Sequence, residues 1–164
     1  MADRLITNVE LLRRLKRLKQ LYRWIEALQI IALATMGQYL YGGGNQKLDG
    51  KHWVYAREFL GGYQNVGLSL MIIAFIGFVG LISLAITEGD RLYRIVGWIF
   101  SGSAALWFFS VGLSHGWASA TIPGAGSTGL WTLGVFSAGF FIGSRIAITI
   151  LNGISTKELA PHDR

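Results

Sequence analysis

The chain has no Cys, only two Pro in 164 residues, and 15% charged residues where soluble chains average about 25%. Each shortage excludes something. Without thiols there is no iron–sulfur cluster, no thiolate zinc site, no thiol nucleophile and no lipidation on Cys. Pro123 and Pro161 fall outside every long apolar run, so the Pro-broken helices that mark many substrate paths are not expected. The low charge argues against an ordinary soluble domain. Hydrophobic residues make up 52% and the mean hydropathy is +0.43, which excludes a disordered chain and a disulfide-stapled secreted module alike. Gly is abundant instead, at 22 residues, as expected of helices packed in lipid.

Four apolar runs organise the chain, at about 24–41, 66–87, 95–117 and 128–151. Crossing about 30 Å of hydrocarbon takes roughly 20 helical residues at about 1.5 Å each. The last three runs meet this outright. The first meets it if Trp24, Tyr39 and Tyr41 sit at the interfaces. The expected fold is all-α: an integral membrane four-helix bundle over 24–151, preceded by an amphipathic basic helix over 1–23 and followed by a tail over 152–164.

Charge sets the expected orientation. Twelve of the fifteen Lys and Arg fall on the side of the two termini, seven of them before the first span. The first loop on the other side holds only Lys47, Lys51 and Arg57. Positive loops prefer the cytoplasm, so both termini are expected there. Some twenty polar and basic residues precede the first span, which leads into Tyr39, Leu40 and Tyr41 rather than a small-residue cleavage site, so no signal cleavage is expected.

Thr7 and Glu10 have the spacing of a capping box, which predicts that the basic helix starts there. Leu11, Leu15, Leu18, Tyr22 and Ile25 then recur at helical steps on one face. Arg13, Arg14, Lys16, Arg17, Lys19 and Arg23 carry the charge, and Arg13 to Lys19 fill the other faces. Such a helix is expected to lie on the membrane surface, favouring anionic lipid, before turning into the first span; juxtamembrane cations gain about 1 kcal/mol each there. The blander reading is that the cations only enforce topology. A helix tied to a bilayer has little freedom to enter a groove, so nucleic acid is not an expected partner.

Within the spans, small residues recur at four-residue steps: Gly97, Ser101 and Ala105; Gly112 and Gly116; Gly134 and Ala138; Gly139 and Gly143. That spacing lets helix backbones approach closely, within one chain or between chains. Glu26 and Arg145 fall at similar depth near one interface and are expected to pair, since either alone would carry a large desolvation cost, or Arg145 simply to snorkel; the functional alternative is that they bind a lipid headgroup or a partner's membrane subunit. No proton relay is expected, because no ionisable groups continue toward the midplane. His52, His115 and His162 are too scattered for a metal or haem site, and His115 beside Trp117 reads as an interfacial polar residue. Gly42, Gly43 and Gly44 lack the context of a phosphate loop and read as a flexible exit from the first span. Neither catalysis nor a cofactor is expected.

Three stretches resemble the MARVEL-domain membrane proteins, particularly the synaptogyrin and synaptophysin branch. They are WIEALQIIALATMGQY (24–39), SAALWFFSVGLSHGW (103–117) and GLWTLGVFSAGFFIGSR (129–145). With the second run, the likeness extends over roughly 24–150. It departs from that branch in its missing Cys, where the branch usually carries lumenal pairs, and in its short first loop. The resemblance implies a non-catalytic scaffold of vesicle or specialised membranes with both termini cytoplasmic, binding lipids and other membrane proteins or its own copies. A different class fits the residues as well: a small accessory subunit of a large respiratory, photosynthetic or transport complex. A small transporter or channel fits less well, because three runs carry no midplane charge.

Overall fold

The computed structural model describes residues 2–42, 51–86, 90–125 and 128–154. These are helical throughout apart from turns. Helix α1 spans Ala2–Tyr41, a single 3-10 turn at Lys51–Trp53 leads into the short α2 (Val54–Leu60), and α3 (Tyr63–Ile86), α4 (Asp90–Thr121) and α5 (Thr128–Ile154) follow.

Helix α1 corrects the division drawn from the sequence. A separate basic helix with a turn before the first span was expected, yet 40 residues form one unbroken helix. The physical reason is local: from residue 2 to residue 36 there is neither Gly nor Pro, and the segment is rich in Leu, Arg, Lys, Ala and Gln, all good helix formers. The helix also begins upstream of the expected cap at Thr7, whose side chain lies outside the described residues. The first loop also carries the 3-10 turn and α2; of the glycines read as a flexible exit, Gly43 and Gly44 lie outside the described residues.

Turn chemistry fixes the other boundaries. Gly61 and Gly62, at φ 75° and 114°, reverse the chain between α2 and α3. Beyond α4, Pro123 cannot continue the helix and Gly124 turns left-handed at φ 77°.

The long helices pack in the order α1, α3, α4, α5, with a smaller contact closing α1 against α5. Ile30 and Leu33 of α1, Leu70 and Ile73 of α3, Phe100 and Trp107 of α4, and Phe141 of α5 form a continuous buried core. Phe141 stacks on Phe108 at 5.6 Å and meets Phe100 edge-on at 5.8 Å. The outer faces are equally apolar: Phe75 on α3, Leu106 on α4, and Leu133 and Phe136 on α5 are all exposed. A helix apolar on every side suits lipid, not water. Helices α3, α4 and α5 are each long and apolar enough to cross a membrane, over Gln64–Leu84, Arg91–Thr121 and Gly129–Gly153.

Close backbone approaches hold this packing together. A Cβ on Gly134 would lie 2.7 Å from Gly112 Cα, so these two glycines define the crossing of α4 and α5. A Cβ on Gly116 would lie 2.5 Å from the Trp131 ring, and the small residues Ser101, Ala105 and Ala138 are buried. A second crossing was not anticipated: Gly37 of α1 meets Gly67 of α3, where a Cβ on Gly67 would fall 2.5 Å from Tyr41 N. Gly139 and Gly143 behave differently. A Cβ on either would have no neighbour within 4 Å among the described residues, so there it meets open space.

Candidate functional site

The strongest concentration of chemistry is a polar clamp built by three helices. Arg145 of α5 is wholly buried and Glu26 of α1 nearly so, at 0% and 3% exposure. Arg145 Nη1 donates to Glu26 Oε1 at 3.1 Å. The other terminal nitrogen, Nη2, donates to the backbone carbonyls of Tyr93 at 2.9 Å and Arg94 at 3.0 Å, both in the first turns of α4. The Tyr93 hydroxyl donates to the second Glu26 oxygen at 2.5 Å, and the Tyr93 ring lies 4.6 Å from the guanidinium carbon. The arrangement is therefore a triangle, with α1 supplying the anion, α5 the cation and α4 both a hydroxyl and two carbonyls.

Each corner follows from local sequence. Carbonyls inside a helix are already bonded to the amide four residues on, so a further donor needs open space beside them. Gly97 supplies it. A Cβ at Gly97 would stand 2.1 Å from Arg145 Cζ and 2.2 and 2.3 Å from its two terminal nitrogens, so the guanidinium occupies the volume that any other residue would fill. Gly97 was expected to bring helices together; it does so by seating a charge. One turn along α1, Gln29 Nε2 donates to Ser144 Oγ at 3.4 Å, and Ser144 donates onward to the Phe141 carbonyl at 3.0 Å. The clamp thus ties α1 to α5, a contact far smaller than those of α1 with α3 or α4 with α5.

Energetics explain why so many donors converge. An ion buried without compensation costs several kcal/mol, and a buried pair recovers this only with good geometry and added hydrogen bonds. Here the carboxylate has a cation and a phenol, and the guanidinium has a carboxylate, two carbonyls and an aromatic face. Arg145 Nε is buried without a hydrogen-bond partner among the described residues.

The structure brings Glu26 and Arg145 together and adds Tyr93, which sequence reasoning missed. Tyr93 lies just before the apolar run assigned to the third span, and it reads there as an ordinary interfacial aromatic. Its signal was the four-residue step from Tyr93 to Gly97, which places hydroxyl and vacancy on one side of α4.

The basic residues of α1 are not gathered into this site. Arg13, Arg14, Lys16, Arg17 and Arg23 are exposed and Lys19 is half-buried, and Arg14 pairs with Glu10 at 2.6 Å along the helix. Leu11 and Leu18, on the face expected to lie in lipid, are exposed too. His115 is buried, its Nδ1 2.7 Å from the Val111 carbonyl and its ring edge-on to Trp53 at 4.5 Å, because the 3-10 turn folds over it. The side chain of His52, and all of His162, lie outside the described residues.

At the opposite end from the clamp, α2 is fastened to the α4 terminus. Lys51 Nζ donates to the Pro123 carbonyl at 3.2 Å, and the Tyr55 and Thr121 hydroxyls share a hydrogen bond of 3.1 Å.

No protein-family pattern, curated protein or solved structure matches this chain. Its reading therefore rests on its own residues.

Proposed function

We propose that the chain is a non-enzymatic membrane scaffold: a four-helix transmembrane bundle, both termini cytoplasmic, that organises lipids and neighbouring membrane proteins. The carrying observation is the direction in which polarity is spent. The buried ionic groups tie α1, α4 and α5 to one another, while the outer surface of the helices is apolar. A catalytic or transport site would expose such groups to a path; here they are enclosed.

The fourth span in this reading is α1 from Trp24 onward. Glu26, Gln29 and Gln38 lower its hydropathy, but Glu26 and Gln29 are turned inward. The surface it presents, through Leu28 and Ile31, is as apolar as that of its neighbours. The layout agrees with the MARVEL resemblance, which we retain as part of this proposal. A second reading, an accessory subunit of a larger membrane complex, is favoured by one observation. Gly139 and Gly143 lie open on α5 between the exposed Phe136, Phe140 and Ile146, leaving space that a helix of another subunit would fill.

Purification in mild detergent followed by mass determination tests both. The scaffold reading expects a homo-oligomer or a lipid-rich particle without large partners. Stoichiometric co-migration with redox or pump subunits would replace it by the accessory reading. A haem or pigment absorbance in the isolated chain would remove the scaffold reading.

A further inference from the structure

We infer that the groove between α2, α3 and α4 is a binding site for one phospholipid, taking an acyl chain along α4 and an ammonium-bearing headgroup at Glu58. The inference rests on the membrane placement of α3 and α4 and is independent of the scaffold role. The groove has a volume of about 880 Å³, within the roughly 300–1,000 Å³ of small-molecule sites. Tyr55 and Glu58 of α2 stand at one end with Trp117 of α4, and Ile73 of α3 and Ser103 of α4 at the other. From Trp117 to Ser103 the helix rises about 21 Å. Half of a bilayer's hydrocarbon core is about 15 Å, so the groove runs from the interface through one leaflet and ends near the midplane. Both α3 and α4 border it within their membrane-crossing stretches, and Leu106 on its rim is exposed at 67%, so it opens sideways into lipid. An apolar space at that depth does not hold water well, and acyl chains are the molecules at hand.

The mouth selects the headgroup. Glu58 is exposed and lines the same groove as the aromatic side chains of Tyr55 and Trp117. A carboxylate there attracts an ammonium group and repels an anionic headgroup, and aromatic rings add to the attraction of a cation. Ethanolamine or choline phospholipid fits this mouth, and phosphatidylglycerol does not. The far end of the molecule differs: the cations of α1 favour anionic lipid there.

Native mass spectrometry of the detergent-purified full chain, offered equal phosphatidylethanolamine and phosphatidylglycerol with identical acyl chains, reads the site. One retained phosphatidylethanolamine per chain, preferred several-fold, is expected. Ser110→Trp, which fills the groove midway, should abolish the adduct, and Ser103→Leu should weaken it from the deep end should the larger residue unfold the chain. Glu58→Gln should keep the adduct and equalise the two lipids. Equal retention of both lipids by the unaltered chain, or an adduct unchanged in both groove-filling variants, would overturn the inference. So would a photo-crosslinker at position 110 that captures a stoichiometric protein helix in place of lipid.

Discussion

Arg145 is the residue on which the structure depends most, because its charge is sealed away from both water and lipid headgroups. Removing it leaves Glu26 buried with the Tyr93 hydroxyl as its one remaining hydrogen-bond partner among the described residues, and breaking a buried pair from one side costs about 3–5 kcal/mol. Arg145→Leu should lower stability by that amount in unfolding titrations in mixed micelles. The Arg145→Leu, Glu26→Leu double variant should recover much of the loss, since an apolar replacement of both partners removes the desolvation cost as well. A double variant no better than the single one would show that the carboxylate is held for another purpose. Glycines sharpen the same point. Gly97→Ala places a methyl 2.1 Å from the guanidinium carbon and should destabilise nearly as much as losing Arg145. Gly139→Ala has open space and should stay within about 0.5 kcal/mol in the isolated chain. The contrast shows what the sequence could reveal. Four-residue spacing marks both glycines equally, but only the fold decides which of them faces Arg145 and which faces outward. The Glu26–Arg145 pairing was legible because an unpaired charge at that depth is prohibitive, whereas Tyr93 was not, because an aromatic at a helix end has many ordinary reasons to be there.

Helix α1 poses the question at the scale of an element. Its second half packs on α3, but its first half leaves Leu11, Leu18 and the basic residues exposed. The capping-box spacing suggested a start at Thr7 and the amphipathic pattern a break before the span, whereas the helix runs unbroken from Ala2 through residues 2–36 that contain neither Gly nor Pro. A helical segment with few tertiary contacts is marginal in water and frays unless something covers its apolar face. In a bilayer, a bend near Trp24 would lay that face on an anionic membrane surface, which would supply the cover. Amide hydrogen exchange over residues 10–19 should therefore slow when the protein moves from zwitterionic to anionic nanodiscs. Replacing Arg13, Arg14, Lys16 and Arg17 by Gln should erase the difference. Exchange that ignores lipid charge in the unaltered protein would leave those cations with topology as their role.

The whole molecule has two unlike ends, and this makes its orientation testable. One end carries the clamp, Arg91, Arg94 and the basic half of α1; the other carries α2, bound to the end of α4 through Lys51 and Tyr55. Three crossings follow from length and hydropathy alone, and an odd number would put the termini on opposite sides. Adding α1 from Trp24 makes the number even and places both termini with the cations, so the fourth crossing and the shared side of the termini stand or fall together. Because the chain contains no Cys, single cysteines can be placed without removing any. Asp3→Cys and Asn152→Cys should react with a membrane-impermeant maleimide from the cytoplasmic side, and Gly124→Cys only from the opposite side. If residues 3 and 152 label from opposite sides, α1 does not cross. Glu26 would then lie with α2, across the membrane from Arg145, and the clamp could not form.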